Sequence, residues 1–285
     1  MKTVRKTLLS EIYFFLTLPA LLWQLFFLVT PIIIILAYSL ITPTSFFSLA
    51  NYRHVISSVH FTIIFHSLLL AVCTAVTCLV IAYPVAYFLA LRVKRGKNQL
   101  LFLLILPFWV NFLVHIYAWL FLLERNGLFN KILMYVGFIS EPLLFSYSFG
   151  AMYLVMVYCY LPFMIMPLFS TLEKIDKRLL EASADLGATR WQTFWRITVP
   201  LSLPGIRTGI SLVLVPAFGE FVIPALLGGS KYMLVGSTIS YYFLIARNNG
   251  YGAAFTYVSA LTLIGVVSLF FVMRFVYRIA RGVWS

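Results

Sequence analysis

EASADLGATRWQTFWRITVPLSLP, from Glu181 to Pro204, is a charged and punctuated passage between two long apolar runs. Local rules read it closely. Asp176 stands where an N-cap belongs, ahead of a short helix from Lys177 to Leu186. Leu179, Ala182, Ser183 and Leu186 share one face of that helix, and Arg178, Glu181 and Asp185 another. Gly187 follows the last periodic residue, where a left-handed cap is commonly required. Thr189-Arg190-Trp191-Gln192 then has the spacing of a capping box, a hydroxyl at N-cap and Gln at N3. The second helix carries Trp191, Phe194, Trp195 and Thr198 on one side, and Pro200 and Pro204 are expected to end it and begin the next segment. The spacing predicts two helices joined by a sharp glycine turn, the second with an aromatic face.

Outward from this passage, the composition is 62% hydrophobic with 10% charged residues over 285 positions. A water-soluble core of that size has no room for so much apolar surface, so the expected solvent is lipid. Windows of about 20 apolar residues predict six spans, near 13–41, 62–91, 100–123, 149–171, 205–227 and 254–277. The expected fold class is an all-α membrane protein, a single domain over 1–285 with the charged loop at 173–204. Lys2, Arg5 and Lys6 precede an apolar run, Ile12 to Ile41, longer than the ~7–15 residues of a cleavable signal, so it reads as an uncleaved first span. The net charge of +13 is dispersed among loops, so it is no footprint for nucleic acid. Instead it orients the chain. Sixteen Lys and Arg fall at the N-terminus, in loops 92–99 and 172–207 and in the tail from Arg274; five (Arg53, Arg125, Lys131, Lys231, Arg247) fall on the other side. Both termini and the Glu181 loop are therefore expected in the cytoplasm.

The outer segments 42–60 and 124–148 are long enough for short helices lying along the membrane. His54 and His60 read as surface histidines without a partner at metal spacing, and His66 and His115 as hydrogen-bonding residues between spans. Cys73, Cys78 and Cys159 lie inside apolar runs, with no ligand spacing. Prolines punctuate several spans, including Pro107 in LPFWVN. Breaks of this kind free carbonyls where helices line a cavity or must rock.

One acidic residue is read inside a span, Glu220 in VPAFGEFVIPALLGG. A charge at a helix centre costs roughly 2.5–3.5 kcal/mol on insertion scales, so Glu220 is expected to face a water-filled cavity or a partner. At about 1.5 Å per residue it lies about 10 Å in from Leu227, in the outer half. Pro224 is expected to leave the Glu220 carbonyl without its helical donor, forming an acceptor cluster suited to an ammonium group. The competing reading is a structural pair with a basic or hydroxyl side chain of another span or subunit. Trp109, Tyr117, Trp119, Tyr158 and Tyr160 are candidates to line a route with cation–π surfaces.

The Glu181 loop resembles the cytoplasmic "EAA" loop of import-type ABC transporter permeases. Glu181, Ala182, Gly187, Ile197 and Pro200 fall at the family spacing, while Ser183 replaces the second Ala and Val199 a Leu. Likeness to the spermidine/putrescine permeases of that family extends through AYPVAYFLA (82–90), LPFWVNFLVHIYAW (106–119), YLPFMIMPLFSTLEKID (160–176) and GEFVIPALLGG (219–229). The resemblance implies a type I importer permease (MetI-like) fold in a bacterial inner membrane. It implies polyamine import by alternating access, with Glu181, Ala182, Ser183, Gly187, Ile197 and Pro200 coupling to an ATPase. The substrate pathway is assigned to Glu220, Trp109, Tyr117 and Tyr160. Implied partners are an ATPase homodimer holding ATP and Mg, a second homologous permease and a periplasmic polyamine-binding protein. The chain has no Gly-x-x-x-x-Gly-Lys-Ser/Thr phosphate loop, so it is expected to be no enzyme and to hold no cofactor or metal itself. The alternatives are a permease for another small solute, or a self-contained secondary transporter, which would carry more intramembrane ionisable residues.

Overall fold

The computed structural model describes residues 2–42, 45–229 and 232–280, with the side chains of 17–42, 45–229 and 232–268. The side chains of Lys2, Arg5, Lys6, Lys231, Arg274, Arg278 and Arg281, which enter the orientation argument, lie outside the described residues. In chain order the helices are α1 (Lys2–Leu40), α2 (Ala50–Val55), α3 (Ser58–Tyr87), α4 (Lys97–Ile105), α5 (Phe112–Leu123) and α6 (Leu128–Tyr135). They continue with α7 (Phe149–Leu172), α8 (Lys177–Asp185), α9 (Arg190–Thr193), α10 (Val199–Phe218), α11 (Val235–Ser240) and α12 (Asn249–Ala280). The short helices α2 and α6 fall within 42–60 and 124–148, the segments expected to hold them.

Among the described residues, five helical runs are long and apolar enough to cross a membrane: Thr17–Leu40, Ser58–Arg92, Phe149–Leu172, Arg190–Phe218 and Asn249–Ser268. The sixth is broken. Lys97–Trp109 and Phe112–Tyr135 meet at 81°, so the single span expected over 100–123, with a proline kink at Pro107, is corrected to a bent pair. The cause is local. Pro107 sits in a tight turn, Leu106–Trp109, after which Val110 and Asn111 are extended, and the Asn111 side chain accepts the Leu113 N–H at 2.8 Å. That side-chain oxygen satisfies one of the new helix's orphan donors, which makes a break tolerable in lipid. A second correction concerns Pro200 and Pro204, which do not end the helix begun at Arg190. A widened turn, Phe194–Thr198, in which the Val199 N–H reaches back five residues to the Phe194 carbonyl, leads straight into α10. The wider turn relieves the clash that a proline ring makes with the carbonyl four residues earlier.

Internal contacts divide the expected single domain into two compact units, residues 1–60 with 239–285, and residues 61–238. In the first, α1 runs along α12, and Tyr257 donates to the Ile32 carbonyl at 3.3 Å. Asn51 of α2 donates to the carbonyls of Ser39 and Ile41, at 2.9 and 3.0 Å, closing the end of α1. The reading of His60 as a surface histidine is corrected here. It is 8% exposed, with the Ser57 and Tyr242 hydroxyls each 2.7 Å from one ring nitrogen, while His54 stacks on Tyr251. Once ordered, those hydroxyls make burial of the imidazole affordable; spacing along the sequence does not reveal a partner 182 residues away.

The second unit is built on α7, which buries Met152, Val155, Met156, Met164, Ile165, Leu168 and Leu172 almost completely. Its main neighbour is α10. Lipid chains are as apolar as these side chains, so close packing and interhelical hydrogen bonds hold such helices together. Tyr83 of α3 meets Ser202 of α10 at 3.0 Å, and Ser67 of α3 accepts the Val235 N–H at 2.8 Å.

Candidate functional site

Two places in the second unit gather the residues singled out in the sequence. The first is the hairpin of α8 and α9. Asp176 accepts the Arg178 N–H at 3.0 Å, as an N-cap should. Gly187 has φ +79°; its N–H bonds to the Ala184 carbonyl at 2.9 Å, and the Ala188 N–H to the Ser183 carbonyl at 3.0 Å. This pair of bonds is the Schellman ending that a left-handed residue permits. Thr189 and Gln192 form the reciprocal capping box. The Asp176 cap, the left-handed Gly187 turn and the Thr189–Gln192 box of the predicted hairpin are all present.

Its packing adds what spacing does not disclose. Ser183, which stands in place of the second Ala, is 7% exposed and ties the two helices together through Thr193 Oγ1 at 2.9 Å. Phe194 lies edge-on to Tyr83 and Tyr87, and Trp191 stacks against Phe194. Leu186, Trp191 and Trp195 remain 88, 69 and 52% exposed, an apolar tip on a rigid base. Beside Glu181 runs a groove of about 320 Å³, bordered by Tyr87, Arg92, Lys177, Arg190 and Thr193. Ile197 and Pro200 sit in and just after the widened turn, behind the tip.

The second place is the centre of α7. On one side a cavity of about 360 Å³ lies against the Val110–Asn111 break, lined by Ile105, Phe108, Trp109, His115, Cys159 and Phe163 among others. His115 stacks on Phe108, and Tyr158 packs against Phe108, His115 and Trp119. Trp109 is 73% exposed, and Tyr117 is exposed farther along α5. The cavity's position follows from the break, which Pro107 followed by a capping Asn111 signals once read as a stop and a start rather than as a kink.

On another side of α7, Tyr160 meets Glu220. The structure corrects the placement of Glu220 within a span: α10 ends at Phe218, and Glu220 stands at the gap before the helical segment 222–229. Its Oε1 accepts the N–H groups of Phe221, Val222 and Ile223 at 3.0, 2.8 and 3.5 Å, and Tyr160 donates to Oε2 at 2.6 Å. Glu220 is 9% exposed, with both oxygens engaged. The Gly236 backbone packs close to the Glu220 carbonyl, since a Cβ on Gly236 would lie 2.7 Å from that oxygen and 2.3 Å from the carbonyl oxygen of Gly219. The carboxylate therefore caps a helix start and pairs with a hydroxyl of another span, as in the structural alternative weighed from the sequence.

Comparison with known proteins gives a consistent outcome. The chain is 42% identical over 238 residues to the spermidine/putrescine transport system permease protein PotB of Escherichia coli K12, covering 81% of this chain and 86% of that one. It is 38% identical over 261 residues to the PotB protein of Haemophilus influenzae, covering 90 and 89%. The fold superposes on a chain from the crystal structure of a bacterial ABC transporter that imports the acidic polysaccharide alginate, with TM-score 0.73, 17% identity and full coverage of both chains. Residues 82–285 match the model of the binding-protein-dependent transport system inner membrane component, a span that holds the hairpin, both helix breaks and the Glu220–Tyr160 pair. With that match covering most of its length, the chain belongs to the family of inner-membrane permease components of binding-protein-dependent ABC importers.

Proposed function

We propose that this chain is a permease subunit of an ATP-driven importer that moves polyamines such as spermidine and putrescine across the inner membrane into the cytoplasm. The observation that carries the reading is the capped hairpin of α8 and α9, which holds out an exposed apolar tip in a chain of this family. The polycationic substrate is taken from the PotB relatives at 38 and 42% identity. The distribution of Lys and Arg supports a hairpin and termini on the cytoplasmic side. There the hairpin, through Glu181, Ala182, Ser183, Gly187, Ile197 and Pro200, docks a pair of ATPase subunits that bind ATP and Mg. A second, homologous permease covers the exposed helices, and a periplasmic binding protein delivers the solute.

The mechanism follows from helix continuity. Arg190 to Phe218 is one uninterrupted helical run, so a displacement imposed on the hairpin passes into α10 and reaches the gap at Gly219–Glu220. Because α10 packs along α7, the same displacement acts on the helix that borders the cavity at the other break. Helices interrupted at two points, each with its loose end capped, support rocking between two arrangements about a central route. Trp109 and Tyr117 offer exposed aromatic faces to a cation along that route, and the Glu220–Tyr160 pair shapes the route by holding the second gap.

The test is uptake of radiolabelled spermidine into proteoliposomes holding this chain, its permease partner and the ATPase, with binding protein outside and ATP inside. ATP-dependent accumulation that disappears when either permease is omitted is the expected result. Accumulation by this chain alone, without an ATPase, would refute the proposal in favour of a self-contained transporter.

A further inference from the structure

We infer that Lys97 and Glu173 are positioning residues that link the hairpin to the broken helix. The inference rests on the proposed ATPase-coupling role of the hairpin. Glu173 is the last cap residue of α7, three positions before the Asp176 cap that starts α8. Lys97 is the first residue of α4. Their side chains form an ion pair, each about one-third exposed.

The position of that pair matters because of what α4 lacks. Its nine residues include no buried side chain, so packing within this chain does little to fix its direction. The other end of α4, about 12 Å away at 1.5 Å per residue, is Ile105, which lines the cavity at the Val110–Asn111 break. A helix loosely packed along its length, tethered at one end and opening into a cavity wall at the other, is a lever. When the hairpin moves, Glu173 moves with its root. The ion pair carries Lys97 along, and α4 swings Ile105 and the following Phe108 and Trp109 relative to Cys159 and Phe163 of α7. Hairpin motion thereby reaches the first break, just as the continuous α9–α10 run brings it to the second. A solvent-accessible pair suits this task, because it holds direction through charge while breaking and re-forming at little cost.

The test uses the complete importer in nanodiscs, with both permeases, the ATPase and the binding protein. Lys97→Met and Glu173→Gln each remove the link without leaving a buried charge. Each is expected to lower solute moved per ATP hydrolysed by about two- to five-fold, the effect of losing one partly exposed ion pair, while ATPase co-purification and basal hydrolysis stay at wild-type levels. The charge-swapped double variant, Lys97→Glu with Glu173→Lys, is expected to restore the ratio, which a contribution to folding alone would not do. An unchanged ratio in both single variants, or no recovery in the swap, overturns the inference while leaving the hairpin's role intact. Failure of the wild-type chain to retain the ATPase overturns both, and the same samples report it.

Discussion

Replacement of Gly187 isolates one physical term. The residue holds φ +79° at the tip of the hairpin, and a Cβ added there would meet nothing within 4 Å. Steric conflict with neighbours is therefore absent, leaving only the cost of placing an L-residue in left-handed backbone. That cost is roughly 1–2 kcal/mol, so Gly187→Ala depopulates the hairpin shape that docks by up to about 5- to 30-fold relative to competing turns. A partner that recognises this shape alone sees its apparent affinity fall by the same factor. Asn tolerates left-handed backbone far better than Ala, and a β-branched side chain tolerates it worst. The expected order of ATPase affinity is therefore Gly, then Asn, Ala and Val. Purified complexes titrated with labelled ATPase give the affinity, and proteoliposomes give solute moved per ATP. Both should fall in that order while membrane insertion stays constant. An Ala variant that binds as tightly as Gly, or an Asn variant as weak as Ala, refutes the argument, because the left-handed turn would then not be what the partner reads.

Glu220→Gln keeps an oxygen for the Phe221 and Val222 N–H groups, so uptake and assembly should stay within about threefold of wild type, whereas Glu220→Leu leaves those donors and the Tyr160 hydroxyl without an acceptor and should lower stability by about 2–5 kcal/mol in a detergent melting assay. Uptake lost in the Gln variant with assembly intact would return Glu220 to direct contact with the cation. Gly236→Ala drives a Cβ into the carbonyls of Gly219 and Glu220 and should lower the melting temperature of the complex; an unchanged melting curve would show that this segment does not pin the gap.

Local chemistry was legible in the sequence wherever each decision is made by a few adjacent residues. The Asp176 cap, the Gly187 turn and the Thr189–Gln192 box depend on contacts within a turn or two, so these three stand as read. Long apolar runs declared a helical membrane protein, because in lipid every backbone group must be satisfied within its own helix. What only the tertiary structure decided was which interruptions break a helix and where polar side chains point. Pro200 was overruled by a widened turn, while Pro107, with Asn111 able to cap a new start, became an 81° break. Glu220 looked like a lone carboxylate in a span because its partners are the N–H groups beyond a gap and a Tyr160 hydroxyl 60 residues earlier. Likewise Ser183 and His60 found partners on other elements, Thr193 and Tyr242. A hydrogen bond between elements depends on how two helices pack, and no pattern along one strand of sequence encodes that distance.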